Sequence, residues 1–88
     1  MTLPLALNDV YRALLSVKDA SVKATLQKEF KDVVRAWEHA EKKGASPSES
    51  DVKSSLRHSL SSIKKGDKRG TLKHFENMQH TLRKLKPH

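Results

Sequence analysis

The chain has 88 residues, room for one domain whose folding buries only about 60–65% of the surface exposed by the extended chain. Its 35% apolar and 32% charged residues, with three Gly and three Pro, favour a helical bundle over a sheet protein or a disordered tail. The absence of cysteine excludes a disulfide framework, a Cys-ligated zinc or iron–sulfur site and thiol catalysis, while the net charge of +8 calls for an anionic partner without choosing among phosphate, lipid and acidic protein.

That charge is uneven: zero over residues 1–17, +2 over 18–43, +2 over 44–66 and +4 over 67–88. No apolar run approaches the roughly 20 residues of a membrane span. The segment Met1–Leu7 is uncharged and broken by Pro4, unlike a secretory signal or an Arg-rich transit peptide. The expectation is that entry into an organelle would use no cleavable leader.

In chain order, Leu3, Leu7, Val10, Leu14 and Val17 recur at three- and four-residue steps and predict an amphipathic helix from near Pro4 to about Lys18. Tyr11 and Arg12 sit at the edge of its apolar stripe. Asp19 or Ser21 caps a second helix whose stripe Val22, Leu26, Phe30, Val33, Trp37 and Ala40 persists to Lys43, with Gly44 as its stop. Trp37 and Phe30 are expected in the core. The run Ser46-Pro47-Ser48-Glu49 reads as a capping box with Pro at the first helical position, opening a third helix striped by Val52, Leu56, Leu60 and Ile63 and closed by Gly66. Asp67 or Thr71 caps a fourth helix carrying Leu72, Phe75, Met78, Leu82 and Leu85, ended by Pro87. Short connections predict consecutive helices packed antiparallel. The expected fold is a single all-α domain over residues 1–88: an antiparallel three-helix bundle with an additional C-terminal fourth helix, which either closes the bundle or docks on another chain.

The chemistry-bearing residue types are sparse. The five histidines, His39, His58, His74, His80 and His88, include no i, i+4 pair and no His-Glu-x-x-His run, so no metal site is predicted. The serines lie in capping or exposed positions, and no Gly-rich loop holds a nucleophile or a nucleotide. The reading is a non-enzyme without a cofactor of its own. Two basic groups stand out. Lys31 and Arg35, one helical turn apart, form a rim with Arg12 if the first two helices pack antiparallel, beside Tyr11 and Phe30. Lys64, Lys65, Lys68, Arg69 and Lys73 are candidate phosphate contacts, with Arg83, Lys84 and Lys86 further on. The four aromatic residues all fall on or beside apolar stripes, leaving no stacking platform for single strands. Nonspecific contact with a duplex backbone is the less favoured use of this charge.

Val10-Tyr11-Arg12-Ala13-Leu14-Leu15, followed by Phe30-Lys31, resembles the LYR-motif family of small, basic, helical mitochondrial proteins. The resemblance covers residues 5 to about 66, with Val10 in place of the motif's Leu and Lys31 in place of its later Arg. It implies a three-helix core whose basic face grips mitochondrial acyl carrier protein, with Tyr11, Arg12, Phe30 and Lys31 at the motif positions. The acyl chain on the carrier's 4′-phosphopantetheine enters between the helices. The implied role is an accessory subunit or assembly factor of a larger complex, in the mitochondrial matrix or on the matrix side of the inner membrane; otherwise the chain is expected in the cytoplasm. A second likeness spans residues 21–82. Ile63-Lys64-Lys65-Gly66-Asp67 and the Leu72/Phe75/Met78 helix are similar to the helical domain shared by steroid receptor RNA activator protein and the C-terminus of a COPII outer-coat subunit, which implies a protein-interaction module.

Overall fold

A computed structural model describes residues 4–87; Leu3 and His88 lie outside the described residues. The described residues form four helices, α1 (Leu5–Leu15), α2 (Ala20–Lys42), α3 (Glu49–Lys65) and α4 (Lys68–Lys84). The all-α bundle is the fold that the periodicities predict.

Local chemistry sets the ends. Pro4 precedes the first turn of α1, and the helix stops before Lys18 because the Ser16 hydroxyl donates to the Ala13 carbonyl (2.7 Å) and the Val17 amide tightens onto Leu14. Asp19 is the cap of α2, its Oδ1 accepting the Ser21 and Val22 amides. At the other end Gly44, with φ of 79°, lets the Ala45 amide reach back to the Ala40 carbonyl at 2.9 Å. The capping box of α3 sits two residues later than Ser46-Pro47-Ser48-Glu49 suggests. Ser46 has φ of 48°, and Ser48 is the cap, its amide donating to Asp51 Oδ2 at 2.8 Å. A β-region cap residue is what the box needs, and Ser46 in the left-handed region cannot serve. Asp67 caps α4 through the Gly70 amide, and the helix ends at Lys84. A Cβ at Gly70 would meet the Asp67 carboxylate and crowd the Ser62 hydroxyl, so a larger residue there would displace the capping side chain.

α1 lies against α2 and α3, and α4 lies against the same two helices; among the described residues the backbones of α2 and α3 do not approach each other, and neither do those of α1 and α4. The helices therefore ring the core in the order α1, α2, α4, α3. The α1–α2 and α3–α4 connections share one end, where both line a single cleft. At the other end Lys43 Nζ donates to the Arg83 carbonyl at 3.1 Å, satisfying a C-terminal carbonyl of α4. Direction thus reverses at each connection, yet α2 and α3 do not pack on one another as expected. The two-residue turn at Gly66–Asp67 ties α3 to α4, whose stripe takes the long face of α2, and residues 43–48 carry the chain across the diagonal.

The fourth helix closes the bundle. Phe75, Met78 and Leu82 have no exposed surface and join Leu7, Val10, Leu14, Leu26, Phe30, Val33, Trp37, Val52, Leu56 and Ile63 in one core. Two expectations shift by one position. Ser59 is fully buried where Leu60 is only partly buried against the core, its hydroxyl donating to the Leu56 carbonyl at 2.9 Å, and Thr71 is fully buried where Leu72 is only partly so, donating to the Asp67 carbonyl at 2.8 Å. A hydroxyl bonded to its own helix behaves as a small apolar group and lets neighbouring helices come close.

Candidate functional site

α1 presents its core residues Leu7, Val10 and Leu14 inward, and Tyr11, one helical step of about 100° from Val10, faces α2. Its ring meets Phe30 at a centroid distance of 6.2 Å, and Phe30 meets Phe75 at 5.7 Å, so a row of three aromatic rings runs from the surface to the centre of the bundle. Exposure falls along it, from 47% at Tyr11 to 5% at Phe30 and none at Phe75.

A shallow cleft of about 410 Å³ opens over the outer end of this row, lined by Asn8, Tyr11, Phe30, Lys31, Val34, Arg35 and Glu38. The structure therefore brings together four of the five sequence-predicted contact residues. Lys31 and Arg35 are exposed at its edge, and Arg35 is held only by Asp32, 3.5 Å away and three residues back, a contact that costs the guanidinium little of its reach. Arg12 does not line this cleft. One residue past Tyr11 turns the side chain by a further 100°, and Arg12 stands on the outward face of α1, exposed and in no ion pair among the described residues. The same face carries Leu5, 80% exposed, and Leu15, 46% exposed, which with Tyr11 are the exposed large apolar side chains of the described residues. Leu5 and Leu15 stand off the predicted stripe, and that departure is the signal by which sequence reading would have found them.

The second basic group divides. Lys64, Lys65 and Lys68 line a cleft of about 480 Å³ at the end of the bundle where both hairpin connections meet, together with Lys18, Asp19 and Asp67 over Val17, Val22, Leu26 and Ile63. Arg69 and Lys73 are exposed on α4 and take no part in it. Lys18 joins this group through tertiary structure alone, because its place depends on which helix ends coincide. A further depression, of about 750 Å³, is lined by Ser50, Lys53, Ser54, Arg57 and His58. All five belong to the outer face of α3, so the depression has no wall from a second element and no basis for selectivity.

His58 and His74, sixteen positions apart, meet across the α3–α4 hairpin with ring centroids 5.1 Å apart. Burial lowers the His74 pKa from its ordinary value, with the nearby His58 and Lys73 charges adding to the effect and Asp67 opposing it. No group of three or more His, Asp or Glu side chains suited to a metal ion occurs among the described residues. None of their helices is long and apolar enough to cross a membrane. No protein-family model matches this chain, and neither does any curated protein or solved structure.

Proposed function

We propose that the chain is a non-enzymatic docking module that receives an acidic protein on the α1–α2 face. The observation that carries this reading is the cleft over Tyr11 and Phe30, in which an apolar floor with Val34 is flanked by Lys31 and Arg35. Aromatic and Arg side chains around a small apolar depression are the anchors that dominate protein–protein contacts. The LYR resemblance names the partner class as acyl carrier protein, an acidic helical protein, and with it the role of accessory subunit or assembly factor and a mitochondrial location. Phe75, Met78 and Leu82 fill the interior between the helices. The proposed contact is accordingly with the carrier's surface, with its acyl chain outside the core. The likeness to the steroid receptor RNA activator and COPII-coat domain, carried by the Gly66–Asp67 turn and the Phe75/Met78 helix, agrees on a docking role and leaves the partner open.

Calorimetric titration with holo-acyl carrier protein tests the reading. Charge-assisted contacts are worth about 1.5–3 kcal/mol each when partly desolvated and about 0–1 kcal/mol when exposed. Arg35→Ala, at the cleft edge, should weaken the complex about tenfold, on the order of 1.4 kcal/mol, with helicity intact, whereas Arg12→Ala, outside the cleft, should cost less than about 1 kcal/mol. Lys31→Glu with Arg35→Glu should abolish binding. If the carrier fails to bind, or binds the reversed-charge variant equally well, the LYR-type assignment is lost. Capture of a different acidic protein that is sensitive to Lys31 and Arg35 would then favour the second likeness.

A further inference from the structure

The bundle end where the α1–α2 and α3–α4 connections meet is separate from the face just described, and its chemistry differs. Four lysines, Lys18, Lys64, Lys65 and Lys68, line one cleft whose floor is Val17, Val22, Leu26 and Ile63. Lys18, Lys64, Lys65 and Lys68 are all exposed, and none is within ion-pair distance of a carboxylate among the described residues. The two carboxylates of the cleft are already engaged: Asp19 accepts the Ser21 and Val22 amides and Asp67 accepts the Gly70 amide. Both carboxylates face the helix N-termini of α2 and α4 and pair with none of the lysines, which outnumber them four to two and supply the attraction for an anion.

We infer that this tip docks on an anionic lipid surface, the lysines reaching headgroup phosphates while the half-buried Val17 and Val22 and the exposed Leu15 meet the carbon layer beneath them. Two features choose lipid over the other polyanions. Lys64, Lys65, Lys68 and Lys18 are ammonium point charges, which suit scattered headgroups, whereas bidentate pairing with a fixed phosphate array is the strength of arginine. The apolar floor has no counterpart on a duplex backbone, and the exposed aromatic ring, Tyr11, belongs to the other cleft. Leu15, adjacent to Ser16 of the tip, leaves 46% of its surface to solvent and supplies an insertable apolar group.

Flotation of the full chain with phosphatidylcholine vesicles containing about one-third phosphatidylserine tests the inference, near 0.1 M salt where charges are felt over about 10 Å. Binding should be absent on pure phosphatidylcholine. Each lysine near such a surface contributes about fivefold, so Lys64→Ala, Lys65→Ala and Lys68→Ala together should weaken binding about a hundredfold. Removing the same charge elsewhere, through Lys53→Ala, Arg57→Ala and Lys84→Ala, should cost less than about fivefold. Leu15→Ser should reduce vesicle binding and leave duplex DNA binding unchanged. Equal losses for the two triple variants would reduce the effect to net charge and overturn the inference. So would failure to bind the anionic vesicles, or tighter binding of a random DNA duplex at the same salt. All these substitutions are at exposed positions, and circular dichroism would verify that each variant is folded.

Discussion

α1 and α4 occupy opposite corners of the same bundle and treat their apolar residues in opposite ways. α4 hides Phe75, Met78 and Leu82 completely and exposes no large apolar side chain, whereas α1 buries Leu7, Val10 and Leu14 yet leaves Leu5, Tyr11 and Leu15 in solvent. The difference shows which helix holds the fold and which offers surface. α4 is striped for one task, closing the ring between α2 and α3. α1 is only 11 residues long, and its apolar content exceeds what one buried stripe can use. The aromatic row from Tyr11 through Phe30 to Phe75 joins the two, one end packed and the other open.

The sharpest way to break this comparison is to truncate the row at each end. Phe75→Ala, at a position with no exposed surface, should cost about 3–5 kcal/mol, and Trp37→Ala, at 4% exposure, a similar amount. A chain of this length commonly has about 4–13 kcal/mol of net stability in all, so either variant should melt far lower or fail to fold. Tyr11→Ala removes a half-exposed ring and should cost only about 1 kcal/mol. Thermal melting followed by circular dichroism checks all three. Equal losses at Tyr11 and Phe75 would mean that α1 is as central to stability as α4.

Much of this division is legible in the sequence. The Val22-to-Ala40 stripe announces α2, because steps of three and four over five turns admit no other periodicity. Trp37 and Phe30 fall in the core for that reason. Two antiparallel helices joined by a short turn predict Arg12 beside the Phe30 and Lys31 stretch; its neighbour Tyr11 stands there instead, because one residue turns the side chain by about 100°. What escapes is non-local or chemically ambiguous. Ser59 and Thr71 count as polar in any pattern, yet each satisfies its hydroxyl within its own helix and packs as a small residue. Ser46 and Ser48 offer competing capping boxes, and only the backbone angle at Ser46 decides between them. The diagonal placement of α2 and α3 depends on all four stripes at once. So does the lysine tip, since Lys18 joins Lys64 and Lys65 only when the ring order is known.

A smaller effect sharpens the comparison at the α3–α4 turn. Asp67 both caps α4 and lies in the tip cleft. Asp67→Ala should cost about 1 kcal/mol by leaving the Gly70 amide without its partner. The same change removes a negative charge among the lysines, so it should strengthen binding to anionic vesicles while lowering the melting temperature. Opposite signs in the two measurements would separate the structural role of the carboxylate from its electrostatic one.

The smallest expected effect belongs to His74, the point at which α4 meets α3 with two imidazoles in contact. Burial comes first among the causes that lower its pKa from the ordinary 6.5, the His58 and Lys73 charges reinforce it, and Asp67 pulls the other way. A base that is harder to protonate in the folded state is protonated more readily once unfolded, so the unfolded chain binds more protons in the window between the lowered native midpoint and 6.5. Stability contributed by this group is therefore fully present above that window, declines as pH falls through it, and changes no further below the native midpoint. The melting temperature should be lower near pH 5 than near pH 7.5 by an amount that shrinks in His74→Gln. Proton NMR titration of the ring gives the direct reading. His58→Gln should move the His74 midpoint back toward its ordinary value, though not all the way, because burial remains. A His74 that titrates at or above the ordinary value in the native chain would mean that the two rings do not meet in solution and that the α3–α4 pair is looser than its packing implies.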